Sequence, residues 1–193
     1  YLGFGTVQRI FAHHGLELFD VDELPTHGGS LRIYAQHPGH RLIAGRVGAL
    51  LETEERAGMK SLDFYRSFGE RVHATKRKLL SFLIEARAQG KRVVGYGAPG
   101  KGNTLLNYCG IRTDLLDYTV DRSPHKQGRF LPGTRIPIYA PEKIFETKPD
   151  YVLILPWNLK DEIAAQMSGI RAWGGRFVTP IPEVQVLPEP GAR

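Results

Sequence analysis

Val93-Val94-Gly95-Tyr96-Gly97-Ala98-Pro99-Gly100-Lys101-Gly102-Asn103-Thr104 is the stretch whose reading decides the fold. Lys91 and Arg92 lead into two β-branched residues, as at the start of a strand; glycines then break it, and Leu105-Leu106-Asn107-Tyr108-Cys109 can continue as a helix. Gly95, Gly97 and Gly100 fit the Gly-x-Gly-x-x-Gly spacing that turns a strand sharply into a helix. Such a turn lets a diphosphate approach bare backbone at a helix N-terminus, where free N–H groups and the helix dipole favour an anion. Lys101 adds a mobile positive charge. The motif is not a P-loop, because Gly102 follows Lys101 where magnesium binding needs Ser or Thr. A tight turn with no ligand is the bland alternative, since the glycine pattern alone is a weak signal.

Working outward, Asp117-Tyr118-Thr119-Val120-Asp121 reads as the next strand, and Asp121 falls 24 residues after Gly97. A dinucleotide-binding unit keeps an acidic residue near that distance for a ribose hydroxyl. The following segment, 122–133, is a loop by composition and carries Lys126 and Arg129, placed to close over a phosphate or simply to lie in a polar surface loop. Tyr151-Val152-Leu153-Ile154-Leu155 is an apolar run suited to a strand covered on both faces, and Pro156-Trp157-Asn158 ends it. Asn158 can cap a helix predicted from Leu159 to Trp173, and Trp157 can stack on a base or plug the sheet end. Arg176-Phe177-Val178-Thr179 is the last strand expected. Strands and helices alternate from Val93 to Thr179, which predicts an α/β fold: a Rossmann-like parallel sheet flanked by helices.

A long helix is expected ahead of this sheet, from Ser61 to Gln89, with Leu62, Tyr65, Phe68, Val72, Leu79, Leu83 and Ala86 at helical spacings. Before it, 38–60 reads as a linker with a short helix over Val47–Leu51. Residues 1–37 read as a small α+β fragment: a helix from Phe4 to His14, then strands Leu16–Val21 and Leu31–Ala35 joined by Pro25-Thr26-His27-Gly28-Gly29-Ser30. One helix and two strands cannot close a core alone, so this fragment is expected to need a partner. His27 lies in that glycine-rich turn as a candidate ligand contact or an ordinary loop histidine. Residues 185–193 read as a tail.

Bulk properties set the limits. At 193 residues and 41% hydrophobic content the chain can bury a core, and no apolar run approaches the ~20 residues of a membrane span. Cys109 is the single cysteine, so no disulfide within the chain is expected; with no basic leader visible, a cytoplasmic location fits. The net charge of +6 is scattered over residues interleaved with Glu70 and Glu85, which argues for a solvated face rather than a nucleic-acid surface. No spaced His/Cys set for a metal is seen.

The blocks 95–104, Tyr118-Thr119-Val120-Asp121, Lys126-Gln127-Gly128, Leu131-Pro132-Gly133 and Leu155-Pro156-Trp157-Asn158 resemble the C-terminal domain of sugar C-methyltransferases. Leu24-Pro25-Thr26-His27-Gly28-Gly29-Ser30-Leu31-Arg32 resembles the end of that family's central domain. The resemblance implies a parent enzyme that uses S-adenosylmethionine to methylate a carbon of a nucleotide-diphosphate-linked keto sugar. It also implies a zinc module, a cofactor-binding central domain and catalytic groups that are not in this chain. The chain would then be the substrate-holding part of the enzyme, inactive in isolation, with the missing domains of the same polypeptide as its partners. Carried over by position, Gly95, Gly97, Ala98, Gly100, Lys101, Gly102 and Asn103 form the nucleotide-diphosphate turn. Lys126 and Arg129 are phosphate partners, Asp121 a ribose partner, and Trp157, Asn158 and His27 further contacts. Replacing Gly97 is expected to remove ligand binding and leave the fold mostly intact. An NAD-binding oxidoreductase domain and a non-catalytic α/β binding module are the competing readings.

Overall fold

The computed structural model describes residues 2–188, apart from the side chain of His27. The chain divides into two compact units, Tyr1–Arg71 and Val72–Arg193.

In the first unit, α1 (Phe4–His13) is followed by β1 (Glu17–Leu24) and β2 (Ser30–Gln36), an antiparallel pair, and then by α2 (Gly45–Arg56). Phe4, Leu18, Val21 and Val47 are buried together, with Val7, Phe11, Ile33, Leu50 and Leu51 packed around them. The stretch read as linker therefore supplies a helix to this core, and α2 is longer than the expected Val47–Leu51. Its face gives the helix and two strands the apolar partner they need, because burial rather than propensity sets the length of so short a helix. The α1 N-terminus has no cap of its own, so Glu54 of α2 accepts from the N–H groups of Phe4 at 2.5 Å and Gly5 at 2.8 Å. Arg46 at the start of α2 bridges Asp20 and Asp22 of β1.

The long helix α3 (Leu62–Ala88) sits within a residue of its expected limits and runs across the division between the units. The sheet of the second unit comprises β3 (Val93–Tyr96), β4 (Thr119–Val120), β5 (Ile138–Tyr139), β6 (Tyr151–Ile154), β7 (Arg176–Thr179) and β8 (Gln185–Val186). Its spatial order is β5-β4-β3-β6-β7-β8, parallel except for β8. Counted from β3 as the first strand, this is the 3-2-1-4-5-6 order of a Rossmann sheet. Side chains alternate between two cores. Val93, Leu153 and Val178 face one that includes Leu79, Leu83 and Ala86 of α3 and Leu106 and Cys109 of α4 (Gly100–Cys109). Val94, Val152, Ile154 and Phe177 face another that includes Ile144 of α5 (Lys143–Thr147) and Ile163 of α6 (Lys160–Gln166). The expected Rossmann-like sheet between helical layers is present.

Two details differ from the sequence reading. The helix expected from Leu159 to Trp173 stops at Gln166 and continues as a 3-10 segment, Ser168–Trp173. The chain between β4 and β5, by contrast, is the irregular loop expected over 122–133, held by a bridge between Phe130 and Pro137 and by backbone hydrogen bonds such as Gly128 N–H to Ile138 C=O at 2.9 Å. Finally, Gln185 and Val186, read as tail, pair with Thr179 and Val178 to form β8; a two-residue strand among prolines has no periodicity to betray it. Residues 189–193 of that tail lie outside the described residues.

Candidate functional site

The sheet order reverses between β3 and β6, and ligands of open α/β sheets bind outside the carboxyl ends of the strands at such a point. The glycine turn 97–100 leaves β3 there, beside Pro156–Asn158 leaving β6.

The glycines do different work. A β-carbon on Gly95 would lie 2.6 Å from Thr119 Oγ1, so β3 needs glycine to lie against β4. Gly97 has φ +88°, and a β-carbon there would lie 2.6 Å from Pro156 Cδ. At Gly102 the obstacle is Leu155 Cβ at 2.8 Å, the close helix–strand packing of this fold. Gly100, at the first position of α4, faces open space. This corrects the expectation for Gly97: a side chain at that position disrupts the fold itself. Gly100 is where backbone is bare toward solvent.

Pro99 is the N-cap of α4, and no side chain caps that end. Its orphan N–H groups and dipole make a favourable place for an anion. Lys101, in the first turn, has no carboxylate partner among the described residues. Its ammonium contacts Asn158 Oδ1 and stands 4.5 Å from the centre of the Trp157 ring. Partial burial pushes its pKa down, as expected of a cation that lacks a countercharge. Lys101, Trp157 and Asn158 thus form one cluster on the β6 side of the turn.

Asp121 and Lys126 are on the β4 side, where they hold each other and the turn. Asp121 Oδ2 accepts from Ala98 N–H at 2.7 Å and from Lys126 Nζ at 3.0 Å, while Oδ1 accepts from Ser123 N–H at 2.9 Å. Lys126 also donates to Ala98 C=O at 3.2 Å. Burial works to raise the Asp121 pKa, but the Ser123 N–H, the Lys126 ammonium and the Ala98 N–H together hold it below the usual value. Three of a carboxylate's roughly four acceptor positions are filled, which leaves about one for a ribose hydroxyl. The pair belongs first to the framework of the turn, which the sequence reading missed because both residues suit a ligand role by type. Thr119 was missed as well: its buried hydroxyl donates to Gly97 C=O at 2.8 Å and pins the turn from below.

Between the turn and the β4–β5 loop lies a pocket of about 280 Å³, lined by Ala98, Pro99, Gly100, Asn103, Lys126 and Arg129 together with Phe130, Leu131, Pro132 and Ile138. Asn103 and Arg129 are therefore brought to the turn as expected, and the apolar wall is new. His27 belongs to the other unit, and its side chain lies outside the described residues.

The sequence profile of the C-methyltransferase C-terminal domain matches residues 25–182. The chain is 38% identical over 191 residues to the C-methyltransferase NovU of Streptomyces niveus, covering 97% of this chain and 45% of that protein. A solved structure, UDP-D-quinovosamine 4-dehydrogenase from Vibrio fischeri, is similar at 18% identity over 51% of this chain and 93% of the other, with a TM-score of 0.39.

The chain belongs to the C-methyltransferase C-terminal domain family. It spans a little under half the length of the curated relative it matches. Among the described residues no group of three or more His, Cys, Asp or Glu is gathered to hold a metal ion. No helix among them is long and apolar enough to cross a membrane.

Proposed function

We propose that this chain is the part of a sugar C-methyltransferase that holds the nucleotide diphosphate of a keto-sugar substrate at the turn 97–103. The observation that carries the reading is Lys101, a partly desolvated cation without a carboxylate, standing next to an uncapped helix N-terminus at the switch point of the sheet. A diphosphate supplies the missing countercharge and accepts from the free N–H groups.

Fixing the diphosphate fixes where the attached sugar projects, and positioning of this kind lowers the barrier of a later bond-forming step. When bound to such an enzyme, S-adenosylmethionine supplies an electrophilic methyl group. Removal of the proton beside the sugar ketone supplies the nucleophilic carbon. Both are assigned to segments of the longer polypeptide outside these residues, as the length of the relative suggests.

Titrating thymidine diphosphate and NAD into the chain by calorimetry tests the reading. The diphosphate is expected to bind, and more weakly as salt screens the contact. Tight NAD binding would move the assignment to an oxidoreductase-type domain.

A further inference from the structure

We infer that the pocket on the β4–β5 side of the turn is a nucleobase subsite, with Phe130 as its stacking surface, so that the nucleotide lies across the sheet edge in a fixed direction. This rests on the nucleotide-diphosphate reading above. The glycine turn separates two unlike surfaces. On the β6 side are Lys101, Trp157 and Asn158, a cation, the indole face it stands over and an amide. On the β5 side the pocket floor is apolar, with Leu131 2% and Ile138 4% exposed, and Pro132 forms a wall. Phe130 at its rim is 63% exposed, so most of its aromatic surface is open among the described residues. Asn103 adds an amide whose NH2 can donate toward a base edge, its Oδ1 already accepting from Asn107 Nδ2 at 3.3 Å. Arg129 lines the same pocket and makes no side-chain hydrogen bond or ion pair among the described residues.

A base is flat, apolar on its faces and polar at its edge, which is the combination this pocket presents. Its volume of about 280 Å³ is near the lower limit for small-molecule pockets and suits one ring system rather than a dinucleotide. The base thus lies toward β5, the diphosphate crosses Gly100, and the sugar leaves past Asn158. Arg129, taken from the sequence as a phosphate partner, is reassigned to the base side.

The experiment compares thymidine diphosphate with inorganic pyrophosphate on the wild-type chain, Phe130→Ala and Lys101→Ala, with the melting temperature of each. Phe130→Ala is expected to weaken thymidine diphosphate about tenfold, the usual effect of removing one base-stacking aromatic, and to leave pyrophosphate unchanged. Lys101→Ala is expected to weaken both. If Phe130→Ala leaves thymidine diphosphate binding unchanged while Lys101→Ala weakens both ligands, the base lies elsewhere; the subsite is then wrong and the diphosphate reading stands. Equal weakening of both ligands by Phe130→Ala with a lowered melting temperature makes Phe130 structural and likewise overturns the subsite. If neither ligand binds the wild type, both readings are overturned together.

Discussion

A β-carbon on Gly97 would lie 2.6 Å from Pro156 Cδ on a backbone with φ +88°, whereas one on Gly100 meets nothing within 4 Å. Gly97→Ala is therefore expected to destabilise the second unit by about 3 kcal/mol, from left-handed strain and overpacking together. Gly100→Ala is expected to keep or raise the melting temperature, since alanine is the better helix former, while lowering affinity for a diphosphate that approaches the backbone. Thermal melts alongside calorimetry separate the two; an unaltered affinity in Gly100→Ala would count against close approach at that residue. Asp121 gives a pH dependence of definite sign. Its pKa is lower in the folded chain than the ordinary 3.8, so its contribution to stability is present above about pH 4 and is lost as pH falls through the folded value. Acid unfolding of Asp121→Asn should show a shallower decline below pH 4 than that of the wild type. An identical profile would remove the Asp121 clamp from the account.

Among elements, α1 depends on a carboxylate that the sequence places about fifty residues away. Glu54 caps the first turn through Phe4 and Gly5, and Glu54→Ala is expected to cost about 1 kcal/mol in the first unit, typical of a lost helix cap. Denaturant unfolding followed by far-ultraviolet circular dichroism reads this directly, and no change in midpoint would show that solvent caps the helix equally well. That contact also marks where the sequence stops being legible. The long α3, the buried β3 and β6 and the turn between β3 and α4 were readable because each has a strong local signature: helical spacing, an apolar run, glycines before a helix. α2 was legible only as a short helix, because its apolar face ends at Leu51 and the added turn holds Glu54 against the N–H groups of Phe4 and Gly5, a long-range contact. β8 has two residues and no pattern of its own; its pairing with β7 creates it.

For the molecule as a whole, the candidate site was legible in place more than in role. The turn, Asp121, Lys126, Arg129 and Asn103 do converge on one end of the sheet, as strand ends in this topology must. What the sequence does not reveal is which cations are spent inside the protein, because pairing depends on side chains meeting in space. Lys126 is tied to Asp121, and Lys101 is left with an amide and an indole. The measurement that bears most directly on the central claim is therefore a calorimetric titration of thymidine diphosphate into the wild-type chain and two variants, Lys101→Ala and Asn158→Asp. The account predicts loss of about tenfold in affinity for Lys101→Ala, the value of one charge-assisted contact. It predicts a loss in the same direction for Asn158→Asp, where a new carboxylate beside Lys101 competes for its charge. Wild-type affinity in both variants would contradict it.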